Sequence, residues 1–333
     1  MLAIDIGSKK VCVAEGRSRK DTVTVTACGE IEYAAPLVSD GKIEDAATLG
    51  FLINEIITKQ GMKSRKAVVT VNSTAVVARE FQLPNVKLPR LHLLVQNEMQ
   101  LVLGSNNGYV VDFTVTGQTD EGLLTVLAFA VPGELVEDYR RLLEQLRLKP
   151  HALDLHANAI SKLCSEGAIN DNPPGEDNII LADVGYAHIC FYGFCKGSCQ
   201  FIRTEASPLR DFIEELGSVF RTDVNTQTME LLDLTPGLTL EDPALVEAID
   251  RFTTRLADEI QRYAQYLLLN SSSKKIAKVY MAGGASQLKG LDAALSLALG
   301  IEVQPLQSVA GLKLPAGCSL AKVCNAAGAL IRL

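Results

Sequence analysis

The sequence predicts an α/β protein built from two related halves, and three observations carry this prediction. An apolar strand runs into the corner Asp5–Ser8 and an alternating apolar strand leaves it, which is typical of a β-hairpin. The same pattern returns at the corner Asp183–Gly185. Segments of strand and helix periodicity alternate along the chain, as in α/β proteins. We therefore expect a duplicated architecture with a ligand between the halves.

Composition narrows the class of protein. The chain has 333 residues and 47% hydrophobic content, enough for one to three domains with sizeable cores. A net charge of −7 argues against a general nucleic-acid-binding surface. The first strand starts at residue 2 and contains Asp5, unlike a signal peptide, and no apolar run approaches the roughly 20 residues that cross a bilayer. We expect a soluble, cytoplasmic protein.

The eight cysteines are scattered over apolar segments without a secretory signal, so we expect reduced thiols. Cys195 and Cys199 form a C-x3-C pair, for which a metal or iron–sulfur site is one interpretation. Zinc sites prefer tighter pairs and need two more ligands, and none of the four histidines pairs with these cysteines in sequence. The preferred interpretation is that both cysteines fill β-positions of a hairpin.

The first half is predicted to comprise residues 1–78 and to resume over 150–177. Its periodicity indicates a strand at Thr22–Thr26, a helix at Asp45–Gln60 and a buried strand at Lys66–Val71. After residue 150, a short strand leads to a helix and then to a polar, Pro/Gly-rich linker.

Residues 79–149 are predicted to form an inserted subdomain, because they carry their own strand–helix–strand–strand–helix order. A Pro-marked loop precedes a helix over Leu91–Leu103, and two strands separated by a polar turn follow. A second helix runs from Pro132 to about Leu146 with its apolar residues on one stripe, and Pro150 ends the unit.

Residues 178–333 are predicted to form the second half. Helical patterns cover three segments: Leu209–Phe220, Asn225–Leu234 and Asp242–Leu269. The last helix carries Glu259 and Arg262 opposite its apolar stripe. A solvated helix face and a contact with a ligand both stay open for these two residues.

The two corners and one glycine pair suggest chemistry. Inward-pointing N–H groups, the Ser8 hydroxyl and the Asp5 carboxylate can hold phosphate and magnesium with its waters, although many turns carry such residues for local reasons. Gly283-Gly284-Ala285 lies between a strand and a helix, where bare backbone lets a flat ring or a phosphate approach. Near the end of the chain, Ala326, Ala327 and Gly328 permit close helix packing near a cleft.

The order Asp-x-Gly, Asp-x-Gly, Gly-Gly-Ala resembles the actin-like ATPase superfamily. The resemblance implies two ribonuclease-H-like halves that close on ATP and magnesium, with a helical 2B-like part at about 206–275 in the second half. The first two motifs would hold the phosphates, and the Gly-Gly turn would border the adenosine.

The inserted residues resemble the PilM family of type IV pilus assembly proteins, which is related to FtsA. The matching positions are Leu83-Pro84, Glu98, Asp112, Val126–Val131, Leu148, Lys149, Pro150 and Asp154. The insertion would then be a 1C-type subdomain. The helix around "EIQRYAQYLL" also matches, with Glu259 and Arg262 on the nucleotide side.

The resemblance implies a set of nucleotide-binding residues with ATP and Mg²⁺ as cofactors. These residues are Asp5, Gly7, Ser8, Lys9, Lys10, Asp183, Gly185, Glu259, Arg262, Gly283, Gly284 and Ala285. Asp5 and Asp183 would hold magnesium through water. Members of the family usually carry a lysine where this chain has Cys12, but Lys10 has the same strand parity and can face the phosphates.

The second corner departs from the family pattern. Tyr186, Ala187, His188, Ile189 and Cys190 replace the usual small and hydroxyl-bearing residues. We expect this crowding to weaken or reshape a γ-phosphate site, so that ATP is hydrolysed slowly or not at all. His188 is either a catalytic base or a structural residue, and the structural interpretation is preferred.

By the same resemblance, the protein is a scaffold at the cytoplasmic face of an inner-membrane platform. Its partner would be the cytoplasmic N-terminal peptide of a PilN-like membrane protein, bound between the first half and the insertion, with a pilus motor or platform protein as a further candidate. A related secretion system is an alternative setting.

Three other functions are considered. A small-molecule kinase of the same superfamily would need a catalytic aspartate, for which Asp154 is the candidate. An FtsA-like filament protein would want a C-terminal amphipathic helix, but the chain stops at Leu333 within a core-like helix. An iron–sulfur dehydratase activator would be excluded by a colourless purified protein.

Overall fold

A computed structural model describes residues 1–20, 22–33, 35–104, 108–165, 167–221, 224, 229, 232–237 and 242–331. Its strands are β1 (Leu2–Ile6), β2 (Lys10–Arg19), β3 (Thr22–Glu32), β4 (Val38–Ser39), β5 (Lys42–Ile43), β6 (Lys66–Val71), β7 (Val77–Leu83), β8 (Tyr109–Gln118), β9 (Leu124–Pro132), β10 (Lys149–Leu155), β11 (Asn178–Val184), β12 (His188–Cys195), β13 (Ser198–Ala206), β14 (Ile276–Ala282), β15 (Val303–Pro305) and β16 (Leu312–Lys313). Its α-helices are α1 (Ala46–Lys59), α2 (Leu88–Leu103), α3 (Gly133–Gln145), α4 (His156–Cys164), α5 (Pro208–Phe220), α6 (Pro243–Asn270), α7 (Leu291–Leu299) and α8 (Leu320–Ala329).

Two sheets repeat one arrangement. The first has the order β10-β6-β1-β2-β3-β16 and the second the order β13-β12-β11-β14-β15. In each, the strand before the corner pairs antiparallel with the strand after it and parallel with a later strand, β6 or β14. All five residues of β1 are buried, as expected for a central strand covered on both faces. These sheets are the duplicated halves that the sequence predicts.

The helices α4 and α8 lie between the two sheets. One apolar cluster joins Ala3 and Val68 of the first sheet, Leu181 of the second, and residues from both helices. The helices cross so closely that a Cβ on Gly328 would lie 2.1 Å from the carbonyl oxygen of Ala159. The small residues near the end of the chain therefore permit the close packing that the sequence predicts.

The inserted residues contain a three-stranded sheet of order β7-β9-β8 with α2 packed on it. Leu83, Val95, Met99 and Val126 belong to its own apolar cluster. The helix α3 differs, because its apolar stripe, including Tyr139, belongs to the cluster of the first half. The division into 1–78 with 150–177, 79–149 and 178–333 stays a prediction.

The second sheet is covered by α5, α6 and α7. Phe212 of α5 stacks on Phe252 of α6 with ring centroids 4.4 Å apart. The predicted helices of both halves and the insertion are found, with ends that differ by a few residues. Most of the predicted helix Asn225–Leu234 lies outside the described residues. In the part of the chain that is described, no helix combines the length and apolarity needed to cross a membrane.

The expectation of reduced cysteines is wrong for one pair. Cys28 of β3 and Cys318 before α8 form a disulfide, although 290 residues separate them in sequence. The fold brings them together because the end of the chain returns to the first sheet, where β16 pairs with β3. The other six cysteines are free. Cys195 and Cys199 occupy paired strands of the β12–β13 hairpin, as the preferred interpretation holds.

Candidate functional site

The two corners have the same local geometry. The N–H of Gly7 donates to the carbonyl of Lys10, and the N–H of Gly185 donates to the carbonyl of His188, each at 3.0 Å. In register, Asp5 lies opposite Cys12 and Asp183 lies opposite Cys190. The turns therefore have equal length, and the two aspartates hold equivalent positions in their halves.

One cavity lies between the corners, and nine of the predicted site residues line it: Asp5, Gly7, Ser8, Lys9, Lys10, Asp183, Gly185, Gly283 and Gly284. They come from both halves of the chain. The structure thus brings together the three motifs that the sequence singled out separately. Their assignment to a nucleotide stays a prediction.

The Asp5 side chain meets His156, the first residue of α4. Nε2 of the imidazole lies 2.7 Å from Oδ1 of Asp5, and each side chain is only 12% exposed. Burial disfavours the charged imidazolium, but the neighbouring carboxylates of Asp5, Asp183 and Asp154 outweigh burial and raise the pKa of His156.

The Asp183 carboxylate is held from the other side of the cavity. Asn325 of α8 donates from Nδ2 to Oδ2 of Asp183 at 3.1 Å. Burial raises the pKa of Asp183, while His156 and the Asn325 hydrogen bond act in the opposite direction. At Gly283, φ is +79°, and a Cβ there would lie 2.6 Å from Oδ1 of Asp183. Only glycine fits this close approach.

Lysine side chains supply positive charge to the same end of the cavity. Lys10 pairs with Glu30 at 2.6 Å, and Lys322 pairs with the other oxygen of Glu30 at 3.0 Å. Burial would raise the pKa of Glu30, but the two ammonium groups lower it. Lys9 also lines the cavity. Three ammonium groups can therefore reach an anion here.

Contacts between the halves surround this charged end. The Lys9 ammonium lies 5.6 Å from the centroid of the Tyr186 ring. His188 Nε2 lies 3.2 Å from Oδ1 of Asp40. Burial lowers the pKa of His188 despite that carboxylate. Tyr186 and His188 thus lie at the second corner, and the His188 imidazole contacts Asp40 of the first half. A structural role for His188 stays the preferred prediction.

Apolar side chains also line the cavity. Leu209 and Ile213 of α5, with Val224 and Met229, line it together with the backbone of Gly284. The side chain of Gln287 adds a polar group in the same region. An apolar slot beside bare backbone suits a flat ring, and the charged end suits an anion.

Three predicted residues are not brought to the cavity. Arg262 pairs with Glu259 and with Glu205 of β13, and its guanidinium lies 4.9 Å from the Tyr263 ring, so this group forms a surface network on α6. Ala285 is fully buried in the core of the second half. Glu259 and Arg262 point away from the cavity because the inner stripe of α6 is filled by apolar side chains.

Asp154, the candidate catalytic residue of a kinase, is also outside the cavity lining. Its carboxylate pairs with Lys162 at 2.7 Å and accepts from Asn158 at 2.7 Å, and it is 4% exposed. Lys162 also donates to the carbonyl of Ile331 at 3.0 Å, so the network joins α4 and its preceding strand to the segment after α8. Asp154 is therefore held by protein partners and does not line the cavity.

Sequence reasoning missed His156, Asn325 and Lys322, all of which line the cavity. His156 begins the helix α4 and Asn325 lies within the mostly apolar helix α8, and neither position indicates a partner. Lys322 gave no signal. Each contacts a partner more than 140 residues away in the chain: His156 contacts Asp5, Asn325 contacts Asp183, and Lys322 contacts Glu30.

Comparison with known proteins supports the predicted class. A family model described as type IV pilus assembly protein PilM matches residues 3–325. Among solved structures, a PilM-PilN type IV pilus biogenesis complex matches with a TM-score of 0.79 at 19% identity, over 99% of this chain and 97% of that chain. Ethanolamine utilization protein EutJ from Carboxydothermus hydrogenoformans matches with a TM-score of 0.53 at 14% identity, over 98% and 88%. No curated protein sequence matches significantly. These similarities confirm the actin-like α/β fold.

Proposed function

The chain belongs to the PilM family of type IV pilus assembly proteins, and from this premise we propose that it is an ATP-binding scaffold that holds a PilN-like partner. One observation supports ATP binding: two equivalent Asp-x-Gly corners and the Gly283-Gly284 turn all line one cavity. Its charged end would take the phosphates and its apolar slot the adenine.

The same geometry argues for slow hydrolysis or none. Tyr186 and His188 occupy the second corner, where a γ-phosphate and an attacking water would need room. Asp154 is buried in a separate network, so it cannot act as a base on a substrate in the cavity. The nucleotide would then be a structural ligand that holds the two halves together.

Nucleotide binding is tested by calorimetric titration of nucleotide-stripped protein with ATP, on the wild type and on Gly284→Val. We expect micromolar binding by the wild type and binding weaker by about tenfold or more in the variant, because the added methyl groups enter the apolar slot. The fold tolerates a side chain at this position, since a Cβ on Gly284 meets Leu209 at an ordinary 3.7 Å.

The matched control is Gly117→Val on β8, where an added Cβ has no heavy atom within 4 Å. This variant should bind ATP like the wild type. If Gly284→Val binds ATP as tightly as the wild type, adenine does not bind in the apolar slot. Absence of both binding heat and thermal stabilisation in the wild type would refute the nucleotide part of the proposal. If ATP does bind, a phosphate-release assay would separate a scaffold from an ATPase.

For the partner, we propose the cytoplasmic N-terminal peptide of a PilN-like inner-membrane protein, because the similar solved structure is a PilM-PilN complex. The proposed position is between the first half and the insertion at 79–149. Through this partner the protein would be located at the cytoplasmic face of the inner membrane.

The partner is tested by hydrogen exchange on the full chain with and without the peptide of the cognate PilN-like protein. We expect slower exchange in the insertion and in the adjoining first half, because a bound peptide shields backbone amides there. A scrambled peptide of the same composition is the control. Protection confined to the second half, or equal protection by both peptides, would contradict the proposed position.

A further inference from the structure

The two carboxylates that the family resemblance assigns to magnesium each have one oxygen engaged by a protein group. Oδ1 of Asp5 lies 2.7 Å from Nε2 of His156. An ionised carboxylate only accepts hydrogen bonds, so Nε2 carries the proton and donates to Asp5. Oδ2 of Asp183 accepts from Nδ2 of Asn325 at 3.1 Å, and the backbone of Gly283 is packed against Oδ1.

These residues do not fit a magnesium ion. Magnesium takes oxygen ligands in a near-ideal octahedron and usually keeps several waters, each of which must donate to an acceptor. One oxygen of each carboxylate, Oδ1 of Asp5 and Oδ2 of Asp183, instead faces an imidazole N–H or an amide N–H.

The cavity offers a different source of positive charge for phosphates. Lys9, Lys10 and Lys322 all line it. Lys10 and Lys322 share one partner, Glu30, so an entering phosphate can take ammonium donors from both. Charge-assisted hydrogen bonds from lysine bind phosphate directly and need no bridging cation.

We propose that this cleft binds the phosphates of its nucleotide without a divalent cation, and that His156 excludes the cation by occupying the Asp5 oxygen it would use. This inference rests on the proposed nucleotide binding. His156 is a specificity-determining residue in this scheme, and the ammonium groups of the three lysines take the charge-neutralising role.

The first test is titration of ATP into the protein in excess EDTA and, separately, in excess magnesium. We expect ATP to bind at least as tightly in EDTA as in magnesium, because excess magnesium holds ATP as its magnesium complex and a cleft that excludes the cation must bind the metal-free form. In His156→Ala, Asp5 loses its donor, and magnesium should then strengthen ATP binding by about tenfold or more, the usual size of effects from a changed second shell. His156→Gln, which keeps an N–H donor, should respond to magnesium as the wild type does. His92→Ala, on α2 of the insertion, is the matched histidine control.

The second test is electron paramagnetic resonance of free manganese(II), which reports metal binding without nucleotide. Wild-type protein should bind no more manganese than Asp5→Asn, with or without ATP. The inference is overturned if ATP binds at least tenfold more weakly in EDTA, or if wild-type protein binds manganese that Asp5→Asn does not. If ATP does not bind in either condition, the proposed nucleotide function fails, and the manganese comparison on nucleotide-free protein still decides the metal question.

Discussion

Replacing Gly328 with alanine is expected to lower the free energy of unfolding by about 3 kcal/mol or more, at the upper end of overpacking costs. The added Cβ would lie 2.1 Å from the carbonyl oxygen of Ala159 and 2.5 Å from its carbon. Both atoms are backbone, so no side-chain rotation relieves the clash, and α4 and α8 must move apart. Because these helices lie between the two sheets, the loss should appear in the unfolding of the whole chain. Urea unfolding followed by circular dichroism measures it.

Gly50→Ala in α1 is the matched control for this substitution. A Cβ at position 50 would meet Leu146 at 3.5 Å, an ordinary contact. Alanine has the higher helix propensity, so this variant should be more stable than wild type by up to about 1 kcal/mol. If the two variants change stability in the same direction, backbone contact between α4 and α8 is not what limits residue 328 to glycine.

Gly283→Ala is expected to lower the free energy of unfolding by about 3 kcal/mol and to abolish ATP binding, because its backbone conformation and its surroundings both exclude a side chain. Gly283 has φ +79° and ψ −172°. A Cβ there would lie 2.5 Å from the carbonyl oxygen of Val184 and 2.6 Å from Oδ1 of Asp183. Accommodating it displaces the second corner, which carries Asp183 and Gly185.

The neighbouring glycine provides the comparison for both measurements. A Cβ on Gly284 would lie 3.7 Å from Leu209, so Gly284→Ala should change stability by less than about 0.5 kcal/mol. Thermal unfolding and ATP titration of the two variants should be measured side by side. They separate the effect of the backbone conformation at Gly283 from the effect of replacing any glycine in this turn. A stable Gly283→Ala protein that still binds ATP would show that the approach of this turn to Asp183 is not required.

Much of the fold could be predicted because its signals are local. The two corners are recognisable from an apolar strand, an Asp-x-Gly turn and a second alternating strand, all within about 15 residues. The helices α1, α2, α3 and α6 follow from apolar spacing that repeats every turn. The strands β15 and β16 were missed because two or three residues carry no periodic pattern.

The candidate site was predictable only in part. Its corners and the Gly283-Gly284 turn are local motifs, and the structure places all three on one cavity. Glu259 and Arg262 lie on a helix that resembles the nucleotide-side helix of the family. The resemblance does not indicate which face of that helix meets the cavity. Which face meets the cavity depends on how α6 packs on the second sheet, and its apolar stripe takes the inner side.

Local patterns were enough to predict an α/β protein with two equivalent corners and a glycine turn, because turns and periodicity depend on neighbouring residues; the insertion stays a prediction. The tertiary structure decided the return of α8 to the first half, the Cys28–Cys318 disulfide, and the His156–Asp5 and Asn325–Asp183 contacts. Each joins residues far apart in sequence. Their meeting depends on the packing of whole layers, for which no short stretch of residues carries a signal.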